Sequence, residues 1–216
     1  MTEFFVSIPI GETALEGHLT IPAAAAGIVL FAHGSGSSRW SPRNRFVAGV
    51  LQGAGLATLL IDLLTPAEET IDERTRRLRF DIVLLTRRLG AATDWVKASP
   101  STSHLAVGYF GASTGAAAAL VASVERPEVV RAIVSRGGRP DLAGEALVRV
   151  RAPTLLIVGG SDIPVISLNQ DAMRRITGEK ELAIVPGATH LFEEPGALEE
   201  VARLAADWFS RYLSQR

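Results

Sequence analysis

The chain is 216 residues long, 47% hydrophobic and 21% charged, with a formal net charge of −1. That length accommodates one domain with a sizeable core, and the composition excludes disorder. The near-neutral balance offers no global field for nucleic acid or anionic lipid, and the absence of cysteine excludes disulfides, thiolate metal sites and a cysteine nucleophile.

The opening stretch, "MTEFFVSIPIGETALEGHLTIP", lacks the basic start and continuous apolar run of a signal peptide. No apolar run reaches the roughly 18–20 residues that span a bilayer. A soluble cytoplasmic protein with no membrane partner is therefore expected.

In chain order, Phe5, Ile8 and Ile10 predict a strand that turns at Gly11, and Leu15–Ile21 its hairpin partner. Gly27–Ala32, Leu56–Ile61, Leu105–Phe110, Val130–Val134, Pro153–Val158 and Glu181–Val185 are apolar runs of strand length. Helical spacing marks Trp40–Ala54, Ile71–Ala98, Thr114–Val124, Leu168–Ile176 and Ala197–Leu213. After the hairpin, strands alternate with helices, which predicts one α/β domain over residues 1–216. Its sheet is expected to be mostly parallel and covered on both faces.

In such a sheet chemistry sits at the carboxyl ends of the strands. "GASTG", Gly111 to Gly115, falls there, between a strand and a helix, and has the Gly-x-Ser-x-Gly spacing of a nucleophile elbow. The turn is so tight that neighbouring side chains would collide, so glycine flanks Ser113 at two residues on either side. The bland alternative is a glycine-rich turn with Ser113 as a helix cap.

A serine hydroxyl needs a base to take its proton. Of the four histidines, His18 and His104 lie in or beside strands and His33 precedes the serine, which leaves His190 in "VPGATHLFEEPG". An acid should orient that imidazole, in the chain order Ser, then Asp or Glu, then His. Among Asp141, Glu145, Asp162 and Asp171, Asp162 is favoured because "APTLLIVGGSD" is a buried strand that ends in two glycines and the carboxylate. The oxyanion formed when Ser113 attacks a carbonyl needs preorganised amides. Thr114 supplies one, and Ser35 in "HGSGSS" is the first choice for the other, its amide turned inward by Gly34 and Gly36.

Together these residues resemble the α/β-hydrolase superfamily. The phrases "HGSGSSRWSPRN", "GASTGAAAAL", "VGGSDIPVISLN" and "VPGATHLFEEPGALEEVARLAADWF" resemble its dienelactone hydrolase-like branch, from about Gly27 onward. The resemblance implies an α/β-hydrolase fold without a cap domain, with Ser113 as nucleophile, His190 as base, Asp162 as acid and the amides of Ser35 and Thr114 as oxyanion donors. The chain departs from dienelactone hydrolases proper, which use cysteine, and this favours a serine carboxylesterase over dienelactone itself. Similar domains also occur fused to phosphoribosyltransferase-like domains.

The expected reaction is hydrolysis of small or short-acyl esters in a shallow site. Gly34, Arg136, Arg139, Ile163 and Leu191 are the candidate substrate contacts, and Leu63-Leu64, Ile163–Ile166 and Leu191-Phe192 the expected apolar walls. Arg136 and Arg139, in "SRGGRPDLAG", suit a carboxylate or phosphate but equally suit tying loops together. Asn44 is expected to cap a helix, Glu68 and Glu69 to favour a helix N-terminus, and "ERTRRLR" to be a solvated helix face. No metal-ligand spacing, dinucleotide fingerprint or nucleic-acid patch is present, so no cofactor is expected. The partner is a small-molecule ester, and a homo-oligomer is compatible with the sequence. Thioesterase, lactonase and peptidase are the enzymatic alternatives, and a catalytically silent binding domain the non-enzymatic one.

Overall fold

In the computed structural model, which describes residues 2–214, the chain opens with strands β1 (Thr2–Ile10) and β2 (Thr13–Ile21). It continues through β3 (Gly27–Ala32), α1 (Pro42–Gly53), β4 (Ala57–Ile61), α2 (Pro66–Thr75), α3 (Ile82–Ala98) and β5 (Ala106–Ala112). The second half comprises α4 (Thr114–Glu125), β6 (Val130–Arg136), β7 (Thr154–Gly159), α5 (Ile163–Arg175), β8 (Lys180–Val185) and α6 (Ala197–Leu213). Of the expected domain over residues 1–216, positions 1, 215 and 216 lie outside the described residues. The strands form an 8-stranded sheet in the order β1-β2-β4-β3-β5-β6-β7-β8. β1 and β2 pair antiparallel, β2 meets β4 antiparallel, and every later pairing is parallel. Among the described residues no helix is long and apolar enough to cross a membrane.

Strand alternation divides the core. Ile28 and Leu30 pack on the face covered by α3 and α4, while Val29 and Phe31 pack on the face covered by α1 and α6. Because both faces are apolar, burial alone does not penalise a one-residue slip in β3. Glycine supplies the missing constraint. A Cβ on Gly108 would lie 2.7 Å from Cε1 of Phe209, and one on Gly27 would lie 2.6 Å from Cβ of Leu213. Phe209 and Leu213 of α6 thus pack directly over these two glycines, a fit that a one-residue slip of β3 or β5 would lose.

The structure corrects several expected elements. The helix expected over Ile71–Ala98 is two helices, α2 and α3, separated by a 3-10 turn at Leu78–Phe80. The break has a local cause: Arg76 adopts φ 55°, and Asp81 caps α3 by accepting from the Leu84 amide at 3.0 Å. The helix expected from Leu168 begins instead at Ile163, with Pro164 in its first turn, where a missing N–H costs nothing. A 3-10 segment over Pro140–Arg149 was not expected.

Smaller assignments change too. Ser41, not Asn44, caps α1 by accepting from the Asn44 amide at 3.3 Å. Glu68 closes a capping box with Thr65 and also pairs with Arg88. The expected solvated face over Glu73–Arg79 fails at its end, because the Arg79 side chain is only 22% exposed and bonds Asp72.

Candidate active site

The sharpest local feature is the backbone of Ser113, at φ 50° and ψ −117°. A residue with a Cβ pays strain there, of order 1–3 kcal/mol, and holds that geometry only when its neighbours impose it. They do. A Cβ on Gly111 would lie 2.4 Å from Cα of Ala116, and one on Gly115 would lie 2.1 Å from the Ala32 carbonyl oxygen. β5 and α4 therefore meet through a turn that only glycine fits. The Ser113 amide donates to the Arg136 carbonyl at 3.2 Å, and its own carbonyl accepts from the Ala116 and Arg139 amides at 3.1 Å. The turn is anchored on three sides.

His190 follows β8 and is held from below and from the side. Its Nδ1 lies 2.7 Å from Oδ2 of Asp162, whose side chain is 13% exposed against 40% for the imidazole. A carboxylate accepts, so Nδ1 carries the proton and Nε2 is left as the basic nitrogen. The two loops are laced by main chain: Gly160 donates to Val185 at 2.8 Å and Ser161 to Ala188 at 2.9 Å. Gly159, which ends β7, is needed here, since a Cβ on it would meet the Ala188 oxygen at 2.4 Å. The other acids considered are engaged elsewhere. Asp141 binds Arg139, Asp171 binds Arg174 and Glu145 binds Arg175.

Ser113 and His190 each adjoin one residue of a two-residue step at the end of β6. Arg136 accepts the Ser113 amide, and Gly137, at φ 51°, lies beneath the imidazole; a Cβ there would be 3.5 Å from its Nδ1 and Cε1.

The loop after β3 closes over the other side of Ser113. A Cβ on Gly34 would lie 3.2 Å from Cβ of Ser113 and 3.2 Å from the Ala112 oxygen. Ser35 Oγ lies 3.0 Å from Thr114 Oγ1, which brings together the two residues expected to supply oxyanion amides. Thr114 opens α4, so its N–H belongs to the helical turn whose amides have no carbonyl partner within the helix. His33, set aside as a base by its place before the serine, is a strut. Its Nε2 accepts from the Leu63 amide at 3.1 Å and its Nδ1 donates to the Gly34 carbonyl at 3.0 Å, tying the ends of β3 and β4 together. Burial holds its pKa below the ordinary value of 6.5, which keeps Nε2 free to accept. A histidine directly after an apolar strand was the available signal.

The expected substrate contacts fall in different places. Ile163 and Leu191 are exposed at the rim, flanking Asp162 and His190. Leu63, Leu64 and Phe192, expected as walls, are core residues instead. Arg139 commits Nε and Nη2 to Asp141, at 2.8 and 2.7 Å. Arg136 differs: its side chain is buried, and its Nε and Nη1 have no hydrogen-bond partner among the described residues. Burial, and then the nearby Arg43 charge, push its pKa down to about 10, so it remains a cation at neutral pH. No group of three or more acidic or histidine side chains among the described residues is arranged to hold a metal.

Comparison with known proteins agrees with this architecture. A crystallised dienelactone hydrolase from Anabaena variabilis is 66% identical and superposes with a TM-score of 0.97, each chain covered to 98%. Est1E from Butyrivibrio proteoclasticus shares the fold at 14% identity, with a TM-score of 0.80 over 96% of this chain and 98% of that one. A Mycobacterium tuberculosis protein provisionally named a phosphoribosyl transferase is 61% identical over 208 residues, which is 96% of this chain but 46% of that protein. The chain thus spans about half the length of that relative. The sequence profile of the dienelactone hydrolase family matches residues 16–215, and the chain belongs to that family.

Proposed function

We propose that the chain is a serine hydrolase that cleaves small carboxylic esters through an acyl-enzyme on Ser113. The observation that carries the reading is the strained Ser113 turn, linked through the Arg136–Gly137 step to an imidazole whose Nδ1 is held by Asp162. In the first half-reaction Ser113 Oγ bonds to the ester carbonyl carbon as its proton passes to His190 Nε2. The amides of Ser35 and Thr114 hold the oxyanion. Collapse breaks the bond to the alcohol, which leaves with the proton from His190. Water then attacks the acyl carbon, giving up a proton to the same nitrogen, and the carboxylic acid departs as Ser113 is reprotonated. Asp162 holds the imidazole through Nδ1 and stabilises the imidazolium.

Lactones are the second reading, since the 66% identical relative bears the name dienelactone hydrolase and ring opening would use the same acyl-enzyme. The phosphoribosyl transferase name belongs to a relative of which this chain matches 46%, and the Ser113 site gives no support for carrying that activity to this chain. Fluorophosphonate labelling followed by mass spectrometry tests the reading directly. Covalent mass on the Ser113 peptide, lost in Ser113→Ala, is expected; no labelling of the folded wild type would leave a silent binding domain. A panel of esters, lactones and thioesters then separates the substrate classes.

A further inference from the structure

The corner behind the oxyanion loop holds an unusually complete polar chain that the mechanism above does not use. Asp72, on α2, is buried, with its side chain 3% exposed. Its Oδ1 accepts from the Leu78 amide at 2.8 Å and the Arg79 amide at 3.1 Å, and its Oδ2 from Arg79 Nε at 2.5 Å. One carboxylate therefore gathers the whole turn between α2 and α3. Burial alone would raise that carboxyl, but the Arg79 and Leu78 hydrogen bonds hold it below its ordinary value, so it stays an acceptor.

The turn is fastened in turn to the oxyanion loop. Ser35 Oγ donates to the Arg79 carbonyl at 3.3 Å. A hydroxyl has one proton, so the 3.0 Å contact with Thr114 must run the other way, with Thr114 Oγ1 donating to Ser35 Oγ. The hydrogens thus have one consistent direction: Thr114 to Ser35 to the Arg79 carbonyl, which Asp72 holds in place. The Arg79 guanidinium also backs the loop, its Nη1 3.0 Å from where a Cβ on Gly36 would stand. The space among these groups is only about 10 Å³, so they serve each other and leave no room for a ligand.

We propose that Asp72 is a positioning residue for the oxyanion hole, acting through the Arg79 carbonyl and the Ser35 and Thr114 hydroxyls to fix the spacing of the two amides. This rests on the hydrolase reading of Ser113. Such a role predicts a loss in turnover at nearly constant KM, because the spacing matters only once the carbonyl oxygen has become an anion. Sub-ångström misplacement of that kind lowers kcat about ten- to a hundredfold.

The test is a double-mutant cycle on a short activated ester, p-nitrophenyl acetate, with fluorophosphonate labelling rates alongside. Asp72→Asn is expected to lower kcat by about tenfold or more while KM stays within about twofold. In a Ser35→Ala background, which keeps the amide but breaks the chain, the same change is expected to add little. Full additivity, or an Asp72→Asn enzyme with wild-type kcat, would overturn the proposal. If Asp72→Asn does not fold, Ser35→Ala and Thr114→Val decide it alone: both are expected to slow turnover and labelling, and wild-type rates in both would show the chain to be inert. Wild-type protein that is not labelled at Ser113 would instead overturn the hydrolase reading, a result distinct from failure of the cycle.

Discussion

Gly34 lies against Ser113, close enough that a Cβ added to it would sit 3.2 Å from the serine's own Cβ. The loop after β3 therefore approaches Ser113 closely enough that any added side chain is crowded. Gly34→Ala is expected to push that loop outward by a few tenths of an ångström, since the second neighbour, the Ala112 oxygen, is backbone and cannot swing aside. Turnover should fall about tenfold or more with the fold retained. Steady-state kinetics with a circular dichroism melt checks it, and unchanged kcat would mean that the loop is not part of the site.

A harsher case sits two residues past Ser113. A Cβ on Gly115 would meet the Ala32 oxygen at 2.1 Å and the His33 oxygen at 2.5 Å, both main-chain atoms of the neighbouring strand end. Gly115→Ala must separate α4 from β3, at a cost of at least about 1–3 kcal/mol. The expected outcome is a lower urea midpoint together with lost activity, since the same displacement moves Ser113. Equal stability of variant and wild type would show the elbow to be softer than drawn.

Asp162→Asn tests the orientation of the base. Asparagine keeps the shape but can present its NH2 to Nδ1, which would force the imidazole proton onto Nε2, the nitrogen that must accept from Ser113. In serine proteases the corresponding change lowers kcat about 10⁴-fold, and a loss of about 10³–10⁴ is expected here, with KM little changed. A loss below about tenfold would remove Asp162 from the mechanism.

The tight turn at Ser113 was legible in the sequence because its requirements are local: glycines two residues from a serine, at a strand–helix junction. Asp162 and His190 were readable because sheet topology carries loops 28 residues apart to one rim. The chain through Asp72, Arg79 and Ser35 was not. Its partners are 44 residues apart at the Ser35–Arg79 step, and nothing in "ERTRRLR" distinguishes the arginine that packs inward from those left in water. Asp72 also explains why the helix expected over Ile71–Ala98 breaks: hydrophobic spacing continues through Leu78 and Ile82, while the Asp72 carboxylate captures the amides that a helix would have used.

His33 gives a pH prediction. Burial holds its folded pKa below 6.5, so between the folded value and about 6.5 the unfolded chain binds more protons than the native one. Stability from this group is fully present above pH 6.5 and is lost as pH falls through the folded pKa. Melting temperature is expected to decline from about pH 6.5 downward, and His33→Gln, whose amide oxygen can still accept from Leu63, should flatten that decline. A wild-type curve level from pH 7 to pH 5 would contradict it.

Arg136 sets stability against use. A buried guanidinium with two nitrogens that have no hydrogen-bond partner among the described residues, and with a second cation, Arg43, nearby, is destabilising, and an apolar side chain of similar length avoids that cost. Arg136→Met is therefore expected to raise the melting temperature. If the cation is kept for a substrate anion, the same variant should lose kcat/KM on carboxylate-bearing esters while keeping it on neutral ones. The two readouts are independent. A variant that gains stability and keeps both activities makes the cation a dispensable structural residue; one that loses stability has lost packing or a water-mediated partner, and its substrate role then rests on the ratio of charged to neutral turnover alone.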